Sequence, residues 1–260
     1  MIRAVVAGAG GRMGSRILAA LREEKDFTVT GACERAGSEH VGRDAGGVTI
    51  VSTLESALQK GAEVVIDFTA PAASVQHAAT CASRGVALVI GTTGFAPEQK
   101  NDLRASAARI PIVLAPNMSV GVNVLFRLVA DAARALGSGY EVEVVEMHHR
   151  MKRDAPSGTA VRLAEVVAQA RGSGADAFVY ERHGDVGPRK PGTIGLATLR
   201  GGDVVGDHTV HFLSDGERLE LTHKATSRDN FAHGAIRAAR WVPDRKAGLY
   251  DMQDVLGLKT

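Results

Sequence analysis

The chain has 260 residues, 31 of them Lys or Arg and 29 Asp or Glu, for a formal net charge of +2. This balance excludes a globally basic nucleic-acid-binding surface, and an aromatic content of 4% excludes the stacking platforms of single-strand binders. Two cysteines, Cys33 and Cys81, make neither a disulfide framework nor a metal-ligand spacing, and no apolar run approaches the roughly 20 residues of a membrane span. The expectation is a cytoplasmic protein with no nucleic-acid or membrane partner. Its length exceeds the roughly 100–200 residues of one domain, which predicts two domains.

The opening run, M-I-R-A-V-V-A-G-A-G, reads as a buried strand ending at glycines rather than as a secretion signal. Short runs rich in Val, Ile and Ala predict strands at Ile2–Ala7, Thr28–Cys33, Val64–Asp67, Val86–Ile90 and Ile112–Ala115. Helices are predicted between them at Arg12–Glu24, Leu54–Lys60, Ala72–Arg84 and Pro97–Ala108, with Pro71 and Pro97 near helix starts, where a missing N–H costs nothing. Strand and helix in alternation predict an α/β, Rossmann-like, doubly wound parallel sheet.

Past Asn117 the pattern changes. A helix over Gly121–Leu136 carries Val122, Leu125, Leu128, Val129 and Ala132 as a core-facing stripe. Tyr140–Met147 alternates as a strand, and a second helix begins near Ser157. Residues Ile194–Ala225 read as antiparallel strands, with Gly201-Gly202-Asp203 and Ser214-Asp215-Gly216 as hairpin turns. Gly172–Gly174 and Gly184–Gly192 read as loops, and a last helix near Asn230–Ala239 returns to the first domain. The expected division is a Rossmann-like domain at 1–118, completed by about 229–260, and an α+β domain with a mostly antiparallel sheet at 119–228.

Gly8-Ala9-Gly10-Gly11-Arg12-Met13-Gly14 follows a strand and opens a helix. Glycines allow a tight turn and a close approach of backbone to pyrophosphate, and the helix start presents amides to the phosphates. Glu34, twenty residues after Gly14, ends the second strand, where a carboxylate accepts both ribose hydroxyls of NAD. Arg35 beside it is placed to grip the 2′-phosphate of NADP. The pair therefore predicts tolerance of both cofactors. Gly91-Thr92-Thr93-Gly94 and Ala115-Pro116-Asn117-Met118 lie just past strands, either as plain turns or as the lining of the crevice at the strands' carboxyl ends.

Glu146 to Thr159 reads E-M-H-H-R-M-K-R-D-A-P-S-G-T. Two histidines and a lysine beside a Pro-Ser-Gly-Thr helix start suit a site that protonates a substrate while gripping an anion. Ser157 or Asp154 is also a plain helix cap. His148 and His149, as neighbours in extended chain, point to opposite sides. Without cysteine or a suitably spaced acid they make a poor zinc site, and no metal is expected.

This segment closely resembles the signature of the dihydrodipicolinate reductases, now called 4-hydroxy-tetrahydrodipicolinate reductases. The resemblance extends through V-A-G-A-G-G-R-M-G at the N-terminus, D-F-T at Asp67–Thr69, G-T-T-G-F at Gly91–Phe95, N-M-S-V-G-V-N at Asn117–Asn123, P-G-T-I-G at Pro191–Gly195 and F-A-H-G-A at Phe231–Ala235. It implies reduction of a cyclic imine dicarboxylate by NADH or NADPH in diaminopimelate and lysine synthesis, by a cytoplasmic homotetramer built through the second sheet. By position it implies His148 as proton donor/acceptor and Lys152 as second proton donor, with His149, Gly158 and Thr159 binding substrate. It assigns Gly8, Ala9, Gly10, Gly11, Arg12, Met13, Glu34, Arg35, Gly91, Thr92, Thr93, Ala115, Pro116, Asn117 and Met118 to the cofactor. The chain departs from the pattern at Ala70, where some members carry arginine near the ribose phosphate, at Met118 for phenylalanine and at Met151 for histidine.

Two other readings compete. A semialdehyde dehydrogenase needs a nucleophilic cysteine in its catalytic region, and Cys33 and Cys81 both fall in the nucleotide domain. A non-catalytic NAD(P)H sensor needs no acid, and His148 with Lys152 speaks against it.

Overall fold

The computed structural model describes residues 1–259. The chain forms two compact units, one holding Met1–Val120 together with the segment from Asp229 onward, the other Gly121–Arg228. In chain order the elements are β1 (Ile2–Ala7), α1 (Arg12–Glu23), β2 (Phe27–Cys33), β3 (Ile50–Val51), α2 (Leu54–Ala57), β4 (Val64–Asp67), α3 (Pro71–Arg84), β5 (Ala87–Ile90), α4 (Pro97–Ala107) and β6 (Pro111–Leu114). There follow α5 (Val120–Leu136), β7 (Glu141–His148), α6 (Gly158–Arg171), β8 (Phe178–Val179), β9 (Ile194–Arg200), β10 (Gly206–Ser214) and β11 (Glu217–Ala225). The chain ends with α7 (Asp229–Trp241), β12 (Gly248–Tyr250) and α8 (Met252–Val255).

In the first unit seven strands run in the order β12-β6-β5-β4-β1-β2-β3, and every pairing is parallel. The strands are apolar because helices cover both faces. Along β4, Val64 and Ile66 enter a core with Ile17 and Leu21 of α1 and Ala235 and Ile236 of α7, while Val65 enters a second core with Ala78 of α3 and Leu103 of α4. The order reverses between β1 and β4, which places the ligand crevice at the carboxyl ends of these strands. The helix expected to reach Lys60 stops at Ala57: Leu58 sits at φ −86° and ψ 0°, and Gly61 turns the chain at φ +75°. Three strands are not legible in the sequence, β3, β8 and β12, because two or three residues carry no period.

The glycine loop after β1 is built on two close approaches. Gly8 sits at φ +78°, and a Cβ at Gly14 would overlap the Gly8 carbonyl and the Ala9 Cα. Helix α1 therefore begins tight against the loop, and the Gly11 amide donates to the Gly8 carbonyl at 3.0 Å.

The second unit has a five-stranded sheet in the order β11-β10-β7-β9-β8. Its pairings are antiparallel for β10 with β7 and β11, and parallel for β9 with β7 and β8. The sheet is thus mixed. The hairpin expected at Gly201–Asp203 does not form, because β7 inserts between β9 and β10. The hairpin after Ser214 does form, with Ser214 opposite Glu217 and Gly216 at φ +85°. Helices α5 and α6 cover one face, burying Val122, Leu125, Phe126 and Val129 of α5 and Leu163, Ala164 and Val167 of α6. Leu128 departs from the expected stripe. It is 49% exposed, one helical step off the row that faces the sheet.

Substituting Gly14→Ala is expected to cost about 1–3 kcal/mol, as overpacking against backbone does. Thermal denaturation is expected to give a Tm several degrees lower; an unchanged Tm would show that the loop can yield.

Candidate active site

The covered face of the second sheet changes character along its strands. Register aligns Val142 of β7 with Ile194 of β9 and Phe212 of β10, then Val144 with Leu196 and Val210. The next row is Glu146, Thr198 and His208, and the last pairs His148 with Arg200. Two apolar rows build the core, and the polar rows at the carboxyl end of β7 build a site.

Glu146 is at the centre of that site and its side chain is fully buried. One carboxylate oxygen accepts from His148 Nδ1 at 2.5 Å and from Arg200 at 2.9 Å. The other accepts from the Ser157 amide at 3.0 Å, from Arg200 at 2.9 Å and from Thr198 Oγ1 at 3.3 Å. Burial pushes the Glu146 carboxyl pKa up, but hydrogen bonds from His148, Arg200 and Ser157 outweigh it and hold the group at about 2. The group is therefore a carboxylate, and His148 Nδ1 carries the proton that meets it.

The chain after His148 is pinned at both ends. The Arg200 guanidinium donates to the Asp154 carbonyl at 2.7 Å, and the His149 amide donates to the Val204 carbonyl at 2.7 Å. Lys152 reaches Asp154 at 2.9 Å and its side chain is only 20% exposed. The ring of His149 meets the Arg228 guanidinium at 3.3 Å. Ser157 caps α6 by accepting from the Ala160 amide at 3.1 Å, and its hydroxyl also contacts His208 Nε2 at 3.0 Å. Burial, then the neighbouring His148, lowers the His208 pKa to about 3, so its ring is neutral. Its centroid lies 5.1 Å from that of His148, edge to face. Gly158 is exposed at the helix start and Thr159 half-buried beside it.

In the first unit α1 begins at Gly11 with no side-chain cap and no acidic residue in its first turn. A dipole end left this way favours an anion. Glu34 ends just past β2 and accepts from the Gly10 amide at 3.0 Å, while Arg12 and Arg35 are exposed. Gly91 lets the Phe68 ring pack where a Cβ would stand. Thr92 is buried, with its hydroxyl accepting from the Thr69 amide at 3.0 Å and from Ser74 at 2.8 Å, whereas Thr93 is exposed. Ala115 and Met118 are buried, Met118 within the core, and Asn117 accepts from the Ser119 amide at 2.9 Å. The uncapped helix, the close-packed glycines and the carboxylate at the end of β2 fit a dinucleotide. Among the described residues no cluster of three or more His, Cys, Asp or Glu is placed to hold a metal ion.

The sequence alone does not single out Arg200, His208 or Arg228, and it marks Asp67 only as part of the D-F-T motif at the end of β4, with no role. Asp67 accepts from Thr69 Oγ1 at 2.6 Å, Ser74 at 3.1 Å and His77 Nδ1 at 2.7 Å. A carboxylate closing a fully apolar strand was the available signal for Asp67. For Arg200 and His208 the signal lay only in the strand pairing.

The family profile described as dihydrodipicolinate reductase, N-terminus, matches residues 2–118, and the one described as dihydrodipicolinate reductase, C-terminus, matches residues 121–256. The 4-hydroxy-tetrahydrodipicolinate reductase of Anaeromyxobacter dehalogenans (strain 2CP-1) is 58% identical, covering 100% of this chain and 99% of that one. The enzyme of the same name from Myxococcus xanthus is 56% identical over the same shares of both chains. A solved structure described as dipicolinate-bound dihydrodipicolinate reductase from Paenisporosarcina sp. TG-14 shares the fold, with a TM-score of 0.79 at 23% identity over 98% of each chain. The chain belongs to the dihydrodipicolinate reductase family.

Proposed function

We propose that the protein is an NAD(P)H-dependent 4-hydroxy-tetrahydrodipicolinate reductase, forming tetrahydrodipicolinate and water in lysine biosynthesis. The observation that carries this reading is the full-length identity of 58% to a reductase of that name. The hydrogen-bonded cluster assembled from residues 146–159 supports it.

A bound pyridine nucleotide supplies the hydride; the chain supplies position, charge and a proton. The loop Gly8, Ala9, Gly10, Gly11, Arg12 and Met13 takes the pyrophosphate at the start of α1. Glu34 and Arg35 meet the adenosine ribose, Glu34 accepting its hydroxyls and Arg35 facing a 2′-phosphate where one is present. Gly91, Thr92, Thr93, Ala115, Pro116, Asn117 and Met118 complete the contacts. The burial of Thr92 and Met118 directs those two contacts through backbone. The cofactor is NADH or NADPH.

The substrate carries two carboxylates and a ring nitrogen. Gly158 and Thr159 hold one carboxylate at the start of α6, where backbone amides and the helix dipole favour an anion. His149, oriented by Arg228, binds substrate beside it. His148 and Lys152 supply the proton as hydride arrives, a contribution of typically 10²–10⁴-fold. We also assign the protein to the cytoplasm, as a homotetramer. No helix among the described residues is long and apolar enough to cross a membrane. The sheet face opposite α5 and α6 leaves Ala197 and Leu199 exposed, with Leu199 at 42%.

Oxidation of NADH and of NADPH at 340 nm, with substrate generated from pyruvate and aspartate semialdehyde by a coupled synthase, is expected to proceed with both cofactors. A folded protein that binds dinucleotide but oxidises neither would overturn the reading in favour of a sensor. Lys152→Ala is expected to lower kcat by about 100-fold or more with the Kd for NADH unchanged; wild-type turnover would remove Lys152 from the proton path. Glu34→Ala is expected to shift the NADH-to-NADPH preference towards NADPH by about tenfold, the worth of a hydrogen bond to a charged group; an unchanged ratio would place specificity elsewhere.

A further inference from the structure

We infer that Glu146 is a positioning residue that sets the tautomer of His148 and the start of α6 with one carboxylate. The inference rests on the reductase reading for its substrate and deepens that reading. Glu146 lies in the row beneath His148 and is sealed from solvent, so its oxygens serve the protein alone. One oxygen receives His148 Nδ1–H at 2.5 Å and the other receives the Ser157 amide at 3.0 Å. Arg200 spans both oxygens at 2.9 Å each, which fixes the rotation of the carboxylate. Proton donor and carboxylate cradle are thereby tied to the same two atoms.

Two consequences follow from the hydrogen-bonding inventory. With its proton held on Nδ1, His148 presents Nε2 as the working nitrogen. That nitrogen lies beside Gly206, where an added Cβ would be 2.9 Å from it. The Ser157 amide is already spent on Glu146, so a substrate carboxylate at this helix end is held by the residues after Ser157.

Glu146→Gln keeps the shape and replaces one acceptor oxygen by a donor NH2. In either orientation the NH2 opposes one Arg200 N–H; with the NH2 towards His148, the ring must also surrender its Nδ1 proton and take the Nε2–H tautomer. With the NH2 towards Ser157, two donors meet and the start of α6 is displaced. The first arrangement lowers kcat, the second raises KM, and neither touches the nucleotide loop.

The test measures kcat, KM and NADH affinity of Glu146→Gln, with 15N spectra of histidine-labelled protein and titration with dipicolinate as the substrate-like probe. The expected result is a loss of kcat/KM of about 100- to 10,000-fold, the range seen when a base loses its orienting carboxylate or its acid function. NADH affinity is expected to stay unchanged. Either the His148 signal moves from the Nδ1–H to the Nε2–H pattern or dipicolinate affinity drops at least tenfold. Wild-type kcat/KM with the wild-type tautomer and dipicolinate affinity would overturn the inference. Gly206→Ala covers the case of a Gln variant that does not fold. It is expected to lose at least tenfold in kcat with NADH affinity intact, and undiminished turnover would show that Nε2 is not the working nitrogen. A wild-type enzyme that oxidises neither NADH nor NADPH would condemn the reductase reading instead, while the tautomer comparison would still decide the role of Glu146.

Discussion

A carboxylate buried without partners would recover its proton or unfold its surroundings, since the cost of a lone buried charge far exceeds the stability of a domain. Glu146 escapes this because three side chains and one backbone amide converge on it. Each of those partners is itself a part of the site or a brace for it. His148 is the proposed acid, Ser157 caps the helix that receives the substrate carboxylate, and Arg200 also holds the Asp154 carbonyl that steers the Lys152 loop. The electrostatic demand of one residue thus ties the end of β7, the start of α6 and the distant strand β9 together. Removing any one partner leaves a buried charge underserved, so the geometry is held tightly in the absence of ligand.

The first unit uses the same device at a second carboxylate. Asp67 ends β4 where the strand leaves the core, and it gathers Thr69, Ser74 and His77. Ser74 and the Thr69 amide in turn fix Thr92, so the loop after β5 is set by the end of β4. In both units a polar residue appears where an apolar row runs out. In the parallel sheet that place is the carboxyl end, where the order of strands opens a crevice. In the mixed sheet it is the carboxyl end of β7.

How far the sequence was legible follows from this layout. The strand–helix alternation of the first unit could be read because each strand is long enough to show an apolar run between turn residues. β3 and β12 have two and three residues and could not be seen. In the second unit β9, β10 and β11 were legible as strands, but their order was not. Local turn chemistry at Gly201-Gly202-Asp203 matched a hairpin, and only tertiary pairing places β7 between β9 and β10. The site divided the same way. His148, Lys152 and the Ser157–Thr159 helix start lie within one short segment and were visible together. Arg200 reaches Glu146 from 54 positions away and His208 stands opposite it through cross-strand register, relations that spacing along the chain does not carry.

On this reading the Glu146 carboxylate organises the reacting site before and during ligand binding. A crystal structure of the protein with oxidised dinucleotide and dipicolinate tests it most directly. The expected result is a ligand carboxylate at the Gly158–Thr159 helix start, His148 Nε2 towards the ligand, and the Glu146 bonds to His148, Arg200 and Ser157 all retained. A ligand held elsewhere, or a Glu146 released from His148 to reach the ligand or solvent, would contradict it.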